Sequence, residues 1–287
     1  MKPDSARLNT VRADKAGLRE LYAAEQFFEG PLWNPSEQAL YFTAFAKGNQ
    51  QILRLKQPGQ ADLWMDHTEG INGTFRARDG RMLAAQVYGH RLMALKLGGD
   101  QPVAVETLAE DSTWNQPNDV CQAPDGATYF TDPDFKTKSK SAVYRRASSG
   151  SVTRIITEMP LPNGLIVSND GRTLYVGDSH EKLWRSYPFQ PDGTVGAGKV
   201  FFNPDTADRN DPDGMTIDEL GNLYFTGRGG VWVVRPDGTL LEFITVPEFV
   251  SNLTFGGRDW RTLYLTCKGK VYSLEMSVRG GRAGGRW

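Results

Sequence analysis

Six positions carry an oxygen-bearing side chain at near-regular spacing: Glu29, Asn72, Asn118, Asn163, Asp213 and Asn252. Each opens a unit of one kind: Glu29-Gly30, Asn72-Gly73, Asn118-Asp119, Asn163-Gly164, Asp213-Gly214 and Asn252-Leu253. Carboxylates and carboxamides are hard oxygen donors. Brought to one centre they make a poor apolar core and suit a hard divalent cation. Glu29 and Asp213 would offset a divalent charge, and neutral amide oxygens would leave the ion able to polarise an ester carbonyl. The competing reading is that Asn-Gly and Asp-Gly are turn sequences before a strand. That reading is strongest for Asn72 and Asn252 and weakest for Glu29, because Glu-Gly-Pro is not a favoured turn.

A repeat would bring the six positions together. The clearest unit runs over 210–226, N-D-P-D-G-M-T-I-D-E-L-G-N-L-Y-F-T, where Gly221-Asn222 forms a tight turn between two short β-forming runs. The returning strands are Leu40-Tyr41-Phe42-Thr43, Met82-Leu83-Ala84-Ala85, Thr128-Tyr129-Phe130-Thr131, Leu174-Tyr175-Val176-Gly177, Leu223-Tyr224-Phe225-Thr226 and Leu263-Tyr264-Leu265-Thr266. Their second residues are 42, 46, 46, 49 and 40 positions apart. A strand-built period in the forties predicts an all-β, six-bladed β-propeller with four-stranded blades. Segments 103–108, 152–157, Lys199–Phe202 and 240–246 read as outermost strands. Residues 17–24 have no preceding blade, so this N-terminal strand is expected to complete the last blade and close the ring. One domain over 1–287 follows, with 1–14 and 279–287, the latter ending R-G-G-R-A-G-G-R-W, expected to be flexible.

A hairpin returns to the end where it began, so residues after each second strand share a face with the six openings. They include Asp132, Asp178, His180 and Arg228, with Trp114, Arg209 and Asn210 entering the same face. The mixture of aromatic and ionisable groups describes a pocket for a small polar ligand. Lys plus Arg is 33 against 34 for Asp plus Glu, which gives no basic patch for nucleic acid or an anionic membrane. No apolar run reaches the length of a membrane span and the first residues lack a signal-like apolar segment, so a cytoplasmic protein is expected. Cys121 and Cys267 read as buried free thiols. Neither a G-x-S-x-G elbow nor H-E-x-x-H is present, which argues against serine-hydrolase and zinc-protease chemistry.

E-G-P-L-W (29–33), Q-P-N-D-V (116–120), P-N-G-L (162–165), G-D-S (177–179), P-D-G-M (212–215) and N-L-T-F-G-G (252–257) occur in the order of one family. In these stretches the chain resembles the SMP-30/gluconolactonase family, six-bladed propeller hydrolases related in shape to diisopropylfluorophosphatase and paraoxonase. The resemblance implies a single divalent cation, calcium first and Zn²⁺, Mn²⁺ or Mg²⁺ as alternatives, held by Glu29, Asn163 and Asp213. Asn118 would be a fourth ligand or a contact through water or substrate. It also implies Asp213 as catalytic base, with His180 and Asp132 as alternatives on the same face. Asn72, Asn118, Asp178, His180 and Arg228 are the expected substrate contacts. Animal members carry Arg where this chain has Gln116, which weakens transfer of their sugar-acid contacts. The expected activity is metal-dependent opening of a sugar lactone by a monomer or small homo-oligomer. A same-scaffold hydrolase of aryl esters, other lactones or organophosphates is the first alternative, and a non-catalytic ligand-binding propeller the second.

Overall fold

The computed structural model describes residues 10–46, 48–204 and 211–286. Their strands are β1 (Arg19–Asn34), β2 (Ala39–Ala46), β3 (Asn49–Gln57), β4 (Gln60–Met65), β5 (Ile71–Arg76), β6 (Met82–Gln86), β7 (Arg91–Lys96) and β8 (Ala104–Glu110). Then come β9 (Val120–Gln122), β10 (Thr128–Asp132), β11 (Ala142–Arg146), β12 (Val152–Ile156), β13 (Pro162–Val167), β14 (Thr173–Asp178), β15 (Leu183–Pro188) and β16 (Lys199–Phe202). The chain ends with β17 (Met215–Ile217), β18 (Leu223–Gly227), β19 (Gly230–Val234), β20 (Leu240–Thr245), β21 (Val250–Gly256) and β22 (Thr262–Glu275). Within each sheet neighbouring strands pair antiparallel, and the architecture is an all-β propeller.

The expected count of six separate blades is corrected. The strands form five sheets: β5–β8, β9–β12, β13–β16 and β17–β20 with four strands each, and one of six in the order β21-β22-β1-β2-β3-β4. The cause lies in two long strands that each serve two partners. β22 pairs with β21 through residues 262–267 and with β1 through residues 268–273. β1 in turn pairs with β22 through residues 19–27 and with β2 through residues 27–34. The sixth return read from the sequence ends at Thr266. The chain crosses that point as continuous strand, with Gly269 at φ +80° taking up the irregularity.

The core sits between faces of neighbouring sheets. The third residue of each return is completely buried: Phe42, Ala84, Phe130, Val176, Phe225 and Leu265. The second residues, on the opposite face, are buried too, so these strands are covered on both sides. Trp184 stacks on Phe225 at 4.8 Å between centroids and Trp33 on Tyr264 at 5.2 Å, each pair joining different strands. Outer strands bury far less, as the mostly exposed β8 shows. Burial of each large apolar side chain contributes about 1.5–3 kcal/mol, so the second strands carry much of the stability.

The last return residue has a separate task. Thr43, Thr131, Thr226 and Thr266 are all fully buried. Thr43 donates to the Asn72 carbonyl at 3.0 Å, Thr226 to the Gly214 carbonyl at 2.9 Å and Thr266 to the Asn252 carbonyl at 3.2 Å. Thr131 accepts from the Asp119 amide at 3.0 Å. These hydroxyls hold the main chain of the unit openings at the axis.

Described residues near both ends are held against the fold. Val11 is fully buried, Arg12 bridges Met276, and the Ser277 amide donates to the Val11 carbonyl at 2.8 Å; residues 1–9 lie outside the described residues. The tail forms a 3-10 turn at Arg282–Gly284. It is held by the Gly281 amide on the Ile217 carbonyl at 2.8 Å and by Arg76 Nη1 on the Gly285 carbonyl at 3.3 Å. The glycines there permit close approach: a Cβ at Gly280 would stand 2.4 Å from Phe255 Cβ.

Deleting residues 1–24 removes most of the pairing of β1 with β22 and the Val11 contact. A net backbone hydrogen bond is worth about 1 kcal/mol, and each kcal/mol moves the melting temperature of a domain this size by about 2–4 °C. The truncated protein is expected to melt roughly 10 °C lower in differential scanning fluorimetry. An unchanged melting temperature and a monodisperse sample would contradict this closure.

Candidate active site

The unit openings meet about the axis. The Gly73 amide donates to the Asn118 carbonyl at 2.8 Å, Gly164 to the Asp213 carbonyl at 3.0 Å and Gly214 to the Ser251 carbonyl at 2.7 Å. Ser251 Oγ donates to the Phe28 carbonyl at 2.5 Å, joining the last opening to the first. A Cβ at Gly73 would lie 2.1 Å from Asp119 Oδ1, at Gly164 2.1 Å from the Asp213 carbonyl, and at Gly214 2.0 Å from Asn252 Cγ. None of these three glycines has positive φ. They are required by close approach, and the turn reading of these openings falls.

Local irregularity aims the side chains. Register shifts interrupt β1 between Glu29 and Leu32, β5 between Ile71 and Thr74, β13 between Pro162 and Leu165, and β21 between Val250 and Asn252. At these four openings a bulge turns a side chain out of the ladder. Glu29, Asn118, Asp119, Asn163 and Asn252 are buried there, and Asp213 keeps partial exposure.

Asn252 is the bridge. Its Nδ2 donates to Glu29 Oε2 at 3.0 Å and to Asp119 Oδ1 at 3.1 Å, while its Oδ1 accepts from the Leu253 amide at 2.9 Å. Glu29 Oε2 also accepts from the Gly30 amide. Both donors fall on Oε2, leaving Oε1 without a donor among the described residues. Asn163 shows the same division. Its Nδ2 donates to Ser179 Oγ at 3.1 Å, and its Oδ1 is buried with no partner among the described residues.

The electrostatics are strained. Burial, then the Asp119 charge, holds the Glu29 carboxyl well above the ordinary carboxylate range. Burial pushes Asp119 up to about 7, partly offset by Asn252. Asp213 is raised well above its ordinary value by burial, then by Glu29 and Asp119, with the Asn163 amide acting in the opposite direction. A cation would relieve all three. Among the described residues no three His, Cys, Asp or Glu side chains gather as a metal cluster. Carboxylates alone therefore do not make the site. Glu29, Asp213 and the unpartnered amide oxygen of Asn163 are oxygen groups of the kind that suits a hard cation.

The other expected residues sit around this centre in different roles. Asn118 has its main chain fixed by Thr131 and Gly73. Asn72 serves the ring through its carbonyl, which accepts from Thr43. Asp178 is buried and accepts from the His180 and Glu181 amides at 2.9 and 3.1 Å, so it shapes the following turn. The His180 side chain is exposed. Arg228, 68% exposed, pairs with Asp211 at 3.1 Å. Asp132 is fully buried and accepts the Asn115 amide at 2.8 Å and the Gln116 amide at 2.7 Å, bracing the approach to Asn118. Arg209 and Asn210 lie outside the described residues.

Sequence reasoning missed Asp119 and Ser179. A signal for Asp119 was present: four of the six openings follow their donor with Gly, and only Asn118 is followed by a carboxylate.

The family model for the SMP-30/gluconolactonase/LRE-like region matches residues 27–269. A gluconolactonase of Zymomonas mobilis is 26% identical over 312 residues, covering 96% of this chain and 86% of its own. A pentonolactonase of Haloferax volcanii is 29% identical over 84% of this chain and 81% of its own. The solved structure of a gluconolactonase from Xanthomonas campestris superposes with a TM-score of 0.81 at 26% identity, covering 93% of this chain and 91% of that one.

An acid whose folded pKa is raised stabilises the fold fully only below its unfolded value, near 4, and that contribution is lost as pH rises through the folded value. For Asp119 that window closes at about 7. Chelator-treated protein is therefore expected to melt at higher temperature at pH 5 than at pH 8. Asp119→Asn should narrow the gap, and so should added Ca²⁺. Equal melting temperatures at both pH values in EDTA would show that the axial carboxyls are not strained as described.

Proposed function

We propose that this chain, which belongs to the SMP-30/gluconolactonase/LRE-like family, hydrolyses the ester ring of a sugar lactone with one divalent cation held by Glu29, Asn163 and Asp213. The observation that carries the reading is the pair of free ligand oxygens beside Asp213: Glu29 Oε1, whose partner oxygen takes both donors, and the buried Asn163 Oδ1. Gluconolactonase and pentonolactonase activities among the relatives point to the same substrate class. Calcium is the favoured ion, because the donor set is oxygen only and contains neither thiolate nor imidazole.

When bound, the cation supplies Lewis-acid polarisation of the lactone carbonyl and stabilises charge developing on its oxygen. The protein residues do the rest. Glu29 and Asp213 offset the ion's charge, and Asn163 adds a neutral oxygen that leaves it electrophilic. Asn252 holds the non-ligating oxygen of Glu29 in place. Asp213 accepts a proton from the attacking water as its oxygen bonds to the carbonyl carbon. The ring C–O bond then breaks, and the same carboxyl returns the proton to the departing ring oxygen. Partial exposure of Asp213, unlike buried Glu29 and Asp119, gives it access to both water and substrate.

Asp213→Asn keeps a coordinating oxygen and removes the proton acceptor. With Ca²⁺ saturating, kcat in a pH-stat assay on glucono-1,5-lactone is expected to fall by about 10²–10⁴ while Ca²⁺ affinity changes far less. If His180→Ala were inactive while Asp213→Asn kept most of its kcat, the base would be the histidine. Wild-type protein with no metal-dependent turnover of any sugar lactone would overturn the reading.

A further inference from the structure

Ser179 stands between two of the segments that would hold the cation. Its Oγ lies 2.5 Å from the Pro212 carbonyl oxygen and 3.1 Å from Asn163 Nδ2. Pro212 immediately precedes Asp213. The Ser179 amide is itself fixed on the Leu161 carbonyl at 3.0 Å, two residues before Asn163, and buried Asp178 anchors the turn that follows.

The direction of this chain follows from its chemistry. A carbonyl oxygen only accepts, so the single hydroxyl proton of Ser179 points at Pro212. Its Oγ then offers lone pairs alone to Asn163. The amide must meet it with NH₂, and the carbonyl oxygen is left on the other side, where Oδ1 is buried and unpartnered. A flipped amide would fill the same space but set two acceptors against each other and present NH₂ where a ligand oxygen is needed.

We infer that Ser179 is a positioning residue: the one-way chain from Asn163 through Ser179 to Pro212 selects the amide orientation that binds the cation and ties the Asn163 segment to the Asp213 segment. The inference rests on the cation site proposed above.

The test measures Ca²⁺ affinity by chelator-competition titration, independently of turnover. Ser179→Ala should weaken Ca²⁺ binding by about 10–100-fold, the usual effect of losing a residue that orients a metal ligand. Ser179→Thr, which keeps the hydroxyl, should bind close to wild type. Asn163→Asp has two equivalent oxygens and no orientation to choose, so in that background Ser179→Ala should cost less than about threefold. If the alanine variant fails to fold, Ser179→Cys, a weak hydrogen-bonding group of similar size, makes the same comparison. Unchanged affinity in Ser179→Ala, or an equal loss in the Asn163→Asp background, would overturn the positioning role while leaving the cation site intact. Absence of Ca²⁺ binding by wild-type protein would overturn both.

Discussion

Everything at the centre of this protein depends on how closely the inner strands approach one another around the axis. At Gly73, Gly164 and Gly214 the neighbouring opening stands about where a Cβ would go. That proximity lets a main-chain amide of one unit reach the carbonyl of another, and so replaces a side-chain core with a hydrogen-bonded ring. A larger residue at any of these points would push two sheets apart and separate the donors they carry. The buried threonines of the returning strands reinforce the arrangement, because each fixes an opening's main chain to a strand that is itself covered on both faces. Apolar packing between sheets thereby sets the position of polar atoms at the axis.

The same closeness creates an electrostatic cost. Glu29, Asp119 and Asp213 raise one another's pKa values or are raised by burial, and a single amide, Asn252, serves two of the three. Buried carboxylates without a counter-charge are tolerated only when something else compensates. Perturbed, desolvated carboxyls in a partly open cleft are a common mark of function, and the paired observation of unpartnered ligand oxygens gives the strain a direction. On the function proposed above, stability given up at the axis would be recovered when a cation binds.

Much of this was legible in the sequence. The six returns are all strands, because hairpin periodicity determines both pleat and direction, and Asp213 feels both the Glu29 charge and the Asn163 amide. The sheet count was not legible: Lys268-Gly269-Lys270 has the composition of a turn, yet pairing to the N-terminal strand carries the chain through it as one strand. The contacts of the tail were not legible either. Gly-rich, aperiodic sequence describes a linker equally well as it describes a segment whose glycines are needed for contact with Phe255 and Ile217. Asp178, His180 and Arg228 share a face with the centre in strand-direction terms, but loop geometry decides how far each side chain reaches. There the sequence carries little signal.

The tail also bears on how the site is reached. Its 3-10 turn lies against Thr216 and Ile217 and is tied to Arg76, at the ends of β5 and β17 away from Asn72 and Asp213. Between the turn and the centre is a cavity of about 30 Å³ lined by Asp119, Asn252, Arg76 and Gly284 among others. That volume has room for roughly a water molecule and none for a sugar. Asp119 and Asn252 line this inner space, with Asn252 also bonded to Glu29, whereas the partly exposed Asp213 does not line it. On the function proposed above, a substrate would come from the face of the unit openings. The loops after the returning strands, including those of His180 and Arg228, then decide what it meets first, while the buried centre beneath them decides what happens to its carbonyl.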